Sequence, residues 1–285
     1  MGNHLYKHDY HPVAEDYMLV FVVPVKSQRI TKSWDLLTKL LERCLRSICN
    51  QTSSNFQVFV VCNEKPNIAF KHPNIHYIEV DFPPPITLPL ERENIQGYEH
   101  IHSADIANKN ADKAKKIMKG IEKAAQFRAS HIMVVDADDC VSCRLAKFID
   151  QNPDADGWVM RRGYMYREGS RFIYVNRKRF NHVSGTSLII KYEKHPIVFE
   201  NPNFYRPSFD EFPGGADIRP LPFIGALYSM LNGENILMSS QTFTQMQYQI
   251  MKSIPKLLEK LMRYRVCLLN PSIKKEFGLY PVTQS

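Results

Sequence analysis

Apolar residues fall along this chain in two forms, continuous runs and spaced stripes, and each form predicts a different element. Met18 to Val25 (MLVFVVPV) is a run, and it reads as a buried strand. Pro24 near its end cannot donate to a ladder, so the chain is expected to leave the sheet there. Leu36, Leu37, Leu40, Leu41, Cys44, Leu45 and Ile48 form a stripe at helical spacing. The stripe predicts a helix from Trp34 to about Cys49, capped by Ser33. Phe56 to Cys62 reads as a second strand and His76 to Val80 as a third. A proline-rich loop, Phe82 to Pro89, and a polar stretch to about Ala107 lead into a basic amphipathic helix from about Asp112 to Phe127. The run His131-Ile132-Met133-Val134-Val135 then predicts a strand ending in Asp136-Ala137-Asp138-Asp139. This order implies an α/β fold with a mostly parallel sheet and covering helices.

The second half is less regular. Gly157 to Arg161, Phe172 to Val175 and part of Val183 to Lys191 read as strands. Phe199 to Pro222 is rich in proline, glycine and aromatic residues and reads as loop. Leu221 to Leu231 is expected to hold a helix. Gln249 to Leu269 reads as a long helix with Ile250, Ile254, Leu257, Leu258, Leu261, Met262 and Val266 on one face, Pro255 favouring a start near Ile254.

Composition narrows the picture only a little. The chain has 285 residues and a formal net charge of +8, which favours polyanionic company such as nucleotide phosphates, anionic lipid or nucleic acid. No apolar run approaches the length of a membrane span, and residues 1–16 are polar, so neither a span nor a secretory signal is expected. The six cysteines are scattered, which suits reduced thiols in a cytoplasmic protein. Cys140 and Cys143 have the spacing of half a zinc site but no matching second pair.

The acidic tetrad is the strongest chemical signal. In extended backbone, residues two apart point the same way, so Asp136 and Asp138 can converge on one cation while Ala137 faces away. Paired carboxylates repel unless a positive charge lies between them, and a hard divalent ion suits them. Asp-rich turns also cap helices, with Asp139 or Ser142 placed to do so before Cys143. The tetrad alone does not choose between these readings.

In its first half the chain resembles the nucleotide-sugar glycosyltransferases of the GT-A fold, closest in style to their family 2. The first strand ends in Val23-Pro24-Val25. Ser47-Ile48 and Gln51-Thr52 match the family's "SI..QT" helix end. Gly120 and Ala124 resemble its "G...A" helix end, and Val134-Val135-Asp136-Ala137-Asp138-Asp139 its acidic signature. The likeness covers roughly residues 17–150. It implies a GT-A (Rossmann-like) mostly parallel mixed sheet flanked by helices, here with a C-terminal helical extension. It further implies a tail over 1–16, a domain over 17–248 with a nucleotide-sugar half (17–150) and an acceptor half (151–248), and a basic helical extension over 249–285. Two departures stand out. Asn63 and Glu64 occupy the place of the family's Asp-Asp after the second strand, and Lys115-Lys116-Ile117-Met118 replaces its Ala-Arg-Asn triplet.

The resemblance implies metal-assisted transfer of a sugar from a nucleoside diphosphate sugar to an acceptor hydroxyl on a glycan or lipid-linked molecule, with inversion. Mn²⁺ or Mg²⁺ would be held by Asp136 and Asp138. The donor would meet Pro24, Val25, Asn63, Glu64, Lys113, Asp136, Ala137 and Asp138. Asp217 and Asp210 are the expected general bases, and His182 and Thr186 the acceptor contacts. Trp158 is expected in the core, with Tyr164 and Tyr166 available to stack on a sugar. The basic C-terminal helix (Lys252, Lys256, Lys260, Arg263, Arg265) suggests peripheral contact with an anionic inner membrane face. No nucleic-acid motif is recognisable. The competing readings are a nucleotidyltransferase and a binding protein without turnover.

Overall fold

The computed structural model describes residues 17–85, 104–199, 216–234 and 262–282. Its centre is a seven-stranded sheet built from β1 (Met18–Pro24), β2 (Phe56–Cys62), β3 (Ile75–Glu79), β4 (Ala129–Val134), β6 (Gly157–Val159), β9 (Leu188–Lys191) and β10 (Ile218–Pro220). The order is β10-β6-β9-β4-β1-β2-β3, and every strand runs parallel except β9. This is the mostly parallel mixed sheet flanked by helices that the resemblance implies. β1 lies in the middle because Val20, Val22 and their neighbours are wholly buried on both faces. Pro24 is its last residue, where a missing N–H disturbs the ladder least.

The first covering helix, α1 (Trp34–Ile48), starts where its stripe predicts. Ser33 Oγ accepts from Leu36 N at 3.2 Å, a cap that contributes about 1 kcal/mol. On the other face, α2 (Ala104–Ala125) lies close on β1, and a Cβ at Gly120 would stand 2.4 Å from Val22 Cγ1. That contact gives the "G...A" helix end its physical reason, with Ala124 buried one turn on.

A second, five-stranded sheet follows the acidic tetrad. Its strands are β5 (Cys140–Val141), β7 (Gly163–Arg167), β8 (Phe172–Asn176), β11 (Ala226–Met230) and β12 (Tyr264–Leu268), in the order β12-β8-β7-β11-β5. Short helices α3 (Leu145–Asp150), α4 (Pro196–Phe199) and α5 (Pro271–Glu276) and three single 3-10 turns, Gln28–Ile30, Phe180–His182 and Tyr192–Lys194, complete the described elements.

Several expectations for the second half need correction. Leu221 to Leu231 holds strand β11 rather than a helix. Strand β7 was not expected. The helix expected over 249–269 lies mostly outside the described residues, and its end, Tyr264–Leu268, is strand β12 paired with β8. A C-terminal extension that is helical throughout is therefore not what forms. Trp158 is buried, as expected, whereas Tyr166 is buried and Tyr164 packs edge-on against Phe277, so both belong to the small-sheet core. Arg144, not Asp139 or Ser142, occupies the cap position of α3.

Candidate functional site

The tetrad leaves β4 at the carboxyl edge of the parallel strands, where open α/β sheets bind ligands. Three anchors fix it. Asp136 N donates to Thr186 Oγ1 at 2.9 Å, and Thr186 Oγ1 donates to Asp139 Oδ2 at 2.6 Å. Asp139 also accepts from Ser184 Oγ at 3.2 Å and from Ser229 N at 3.0 Å. Asp139 is thus a buried brace joining the start of β9 to β11. Ser229 Oγ in turn accepts from the buried guanidinium of Arg43 at 2.9 Å, and Arg43 also bonds Glu168 and the Tyr280 carbonyl. The "SI..QT" residues clamp the far side. Ser47 Oγ exchanges hydrogen bonds with Val141, Gln51 bonds Ser142 O and Ala146 N, and Thr52 N donates to Cys143 O.

With Asp139 turned inward, Asp136 and Asp138 face a pocket. Burial raises the Asp138 carboxyl above its usual value, and the Asp136 charge adds to that. Asp139 is pushed further up by burial and by both neighbours. Asp138 Oδ2 accepts from Asn232 Nδ2 at 2.6 Å, and Asn232 Oδ1 accepts from Glu234 N at 2.9 Å. Glu234 is buried, ion-paired with Lys26, and accepts from Ser33 N at 3.0 Å. The turn after β11 is in this way tied to the end of β1 and the start of α1. The Tyr228 hydroxyl, also on the wall, is raised by burial and by Asp138, which keeps it a neutral phenol.

The opposite wall is α2. Lys113 forms an ion pair with Asp136. Lys116, almost fully buried, donates to Val25 O at 2.9 Å and to Asp112 Oδ2 at 2.8 Å. Asp112 Oδ1 is buried and has no hydrogen-bond partner among the described residues. Lys26, Lys109, Lys113 and Lys116 thus line one pocket with Asp112, Asp136, Asp138 and Glu234. Such a wall can hold a polyanion against the lysines while the acidic pair takes up a cation.

Among the described residues no three His, Cys, Asp or Glu side chains converge as a ready-made metal cage. The donor set still fits a hard divalent ion of the Mg²⁺ or Mn²⁺ kind. Such ions use one or two carboxylates and complete their shell with water and phosphate oxygen. Burial raises Asp138 first and the adjacent Asp136 charge second, and a cation between the two carboxylates would offset the second of these.

The residues expected from sequence divide clearly. Pro24, Val25, Lys113, Asp136, Ala137, Asp138 and His182 come together on the pocket. Asn63 and Glu64 do not line it. Asn63 Nδ2 donates to Phe82 O at 2.9 Å, and Glu64 accepts from Ser27 Oγ and Gln28 N, each at 2.9 Å. Thr186 is fully buried in the brace, so it does not offer its hydroxyl to an acceptor. Asp217 is on the wrong edge. It precedes β10, its N–H bonds Asp156 just before β6, and both strands run parallel to β4, so it sits at the amino ends while Asp136 sits at the carboxyl end. It is exposed and ion-paired with Arg219. Asp210 lies outside the described residues. Cys140, whose buried thiol is pushed up to about 11, is neutral.

Lys26, Lys109, Asp112, Asn232 and Glu234 were not foreseen as site residues. The sequence did carry one signal for α2: Asp112 and Lys116 stand four apart beside the apolar stripe of Ile117, Ile121 and Ala124, where solvated charge is out of place.

No family model matches the sequence, and no curated protein does. Among solved structures, the chain is similar to S. aureus TarS 1–349, at 12% identity over 74% of this chain and 60% of that one, with a TM-score of 0.44. It is similar to a crystal structure of S. aureus TarS at 12% identity over 75% and 37%, TM-score 0.41. The complex of S. aureus TarS 1–349 with UDP matches at 11% identity over 75% and 60%, TM-score 0.41. The chain therefore spans 60% or less of each of these structures. Likenesses at such TM-scores carry no weight for function.

Proposed function

We propose that this protein is a glycosyltransferase that takes a nucleoside diphosphate sugar as donor and passes the sugar, with inversion, to an acceptor hydroxyl on a glycan or lipid-linked molecule. The observation that carries the reading is the pocket at the carboxyl edge of the parallel strands. There, two carboxylates on a braced turn stand opposite a helix that supplies lysines. In this reading the diphosphate lies between the α2 lysines and the acidic turn, with Lys113 and Lys109 donating to phosphate oxygens. Asp136 and Asp138 would hold Mn²⁺ or Mg²⁺, which when bound supplies Lewis-acid neutralisation of the leaving diphosphate. Asn232 orients Asp138, and the Thr186–Asp139 brace keeps the turn from yielding.

Direct displacement breaks the bond from the anomeric carbon to phosphate oxygen, forms one to the acceptor oxygen, and sends the acceptor proton to a base. Position removes Asp217 from that role, which leaves Asp210 in the reading. A nucleotidyltransferase is disfavoured because β1 is followed by a short 3-10 turn, Gln28–Ile30, capped by Ser27 and tied to Glu64, rather than by a glycine-rich phosphate loop.

Thermal shift with UDP, GDP, CDP and ADP, each with and without Mn²⁺, tests the reading. One nucleotide should raise Tm in a metal-dependent way, by roughly 5 °C at a hundredfold excess over Kd. Asp138→Asn should remove the metal dependence, and Lys113→Met should weaken binding with or without metal. Indifference to every diphosphate, or full metal dependence in Asp138→Asn, would overturn it.

A further inference from the structure

Lys113 bridges the two walls of the pocket: its ammonium pairs with Asp136 across the gap between α2 and the turn after β4. In the donor reading, on which this inference rests, Lys113 is to bind a phosphate and Asp136 a cation. Neither can give itself wholly to that ligand while the two hold each other.

Two other lysines of the pocket are held differently. The Lys116 side chain is 1% exposed and bonds Asp112 and the Val25 carbonyl, so it is a fixed part of the interior. Lys26 pairs with Glu234, which Ser33 N anchors in turn. The Lys113 and Asp136 side chains instead keep 18% and 23% exposure, and both line the pocket, so they can part without opening the core. Asp136 sits on main chain fixed by Thr186 Oγ1, whereas Lys113 carries its charge on a flexible stem. When the pair parts, the lysine is the partner that moves.

Charge decides when it parts. Drawing Lys113 to a phosphate by itself takes the ammonium away from Asp136, two positions from the Asp138 carboxylate. Seating a divalent ion on Asp136 by itself sets that ion against the Lys113 ammonium. With both ligands present, the carboxylate faces the cation and the ammonium faces the phosphate. An ammonium that stayed on Asp136 as a substitute for the ion would bring one positive charge to two carboxylates, and Asp138 accepts from a neutral amide, that of Asn232.

We propose that Lys113 is an exchangeable counter-ion. It holds Asp136 until a divalent cation takes that carboxylate, and then turns to the diphosphate, so that cation and nucleotide each favour the other's binding.

Manganese alone is the first probe. The electron paramagnetic resonance signal of Mn²⁺ in solution, titrated with the full chain, reads its Kd without any turnover. Lys113→Met removes the competing ammonium, so Mn²⁺ should bind about tenfold tighter than to the parent. Lys109→Met takes the same charge from the same wall without touching the pair, and should tighten Mn²⁺ by less than about threefold. The second probe is the nucleoside diphosphate selected by thermal shift. Mn²⁺ should tighten its binding to the parent by about tenfold more than to Lys113→Met. Lys113→Gln, measured alongside, repeats both comparisons with a polar side chain in case methionine disturbs folding. Equal Mn²⁺ affinity in the parent and both Lys113 variants would overturn the proposal. So would a tightening that Lys109→Met matches, or a coupling between Mn²⁺ and diphosphate that loss of Lys113 leaves undiminished. Each of these, found in a chain that does bind the diphosphate, overturns the exchange and spares the donor reading. A parent that binds Mn²⁺ but no diphosphate overturns both.

Discussion

Thr186→Val removes one hydroxyl from the centre of the brace and leaves the shape nearly intact. That hydroxyl accepts from Asp136 N at 2.9 Å and donates to Asp139 Oδ2 at 2.6 Å, with no exposure to solvent. Losing the bond to a carboxylate costs about 1.5–3 kcal/mol, and leaving the Asp136 N–H without a partner adds about 1–3 kcal/mol. The two share one atom and do not add fully, so a loss of about 2–5 kcal/mol is expected. For a chain of this size that is a fall in Tm of roughly 5–15 °C. The loss also depends on pH. Burial and the neighbouring aspartates raise Asp139 well above its ordinary value of 3.8, while the Thr186 bond opposes that rise. A carboxyl raised in the folded state contributes stability that is complete below the unfolded pKa and lost as pH climbs through the folded pKa. Removing the Thr186 donor raises it further, so the penalty should deepen as pH rises through the range in which Asp139 ionises. Thermal unfolding followed by circular dichroism across pH, with Thr186→Ser as the hydroxyl-retaining control, measures this. A Tm within about 1 °C of the parent, together with a raised KM for acceptor, would refute the brace and return Thr186 to the acceptor site.

Two further substitutions probe other parts of the account. Asp217→Asn should leave turnover unchanged, because the residue is exposed and lies at the amino edge of the sheet; a tenfold or greater loss in kcat would contradict that placement. Lys116→Met should cost about 3–5 kcal/mol in urea unfolding, because it strands Asp112 and the Val25 carbonyl in the interior. Asp112→Asn combined with it should recover part of that loss, whereas a cost below about 1 kcal/mol for Lys116→Met alone would show the pair to be dispensable.

The first half of the fold was legible because its signals are local. Ser33 and the stripe that follows it define α1 to within a residue, and the run Phe56–Cys62 is β2 to the residue. β11 was misread because Ala226–Met230 is buried at every position, and a strand covered on both faces has no alternation to distinguish it from a buried helix. Tyr264–Leu268 looked helical because its apolar residues continue an upstream stripe, but pairing with β8 decides its state. In the site, the acidic tetrad was readable as chemistry, yet the division of labour within it was not. Only the fold brings Thr186, Ser184 and Ser229 onto Asp139 and so leaves Asp136 and Asp138 for the pocket. Asp217 looked like a loop acid near the chemistry. Its distance follows from the direction in which β10 enters the sheet, which no local pattern encodes.

The central claim is that the acidic pair and the α2 lysines grip a diphosphate and its cation together. Crystals soaked in MnCl₂ with the nucleoside diphosphate selected by thermal shift, measured at the manganese absorption edge, test it directly. An anomalous peak between Asp136 and Asp138, with diphosphate density reaching toward Lys113, is the expected result. A stabilising nucleotide bound elsewhere, or one bound here with manganese present in the soak and no anomalous signal beside those two carboxylates, would contradict the account.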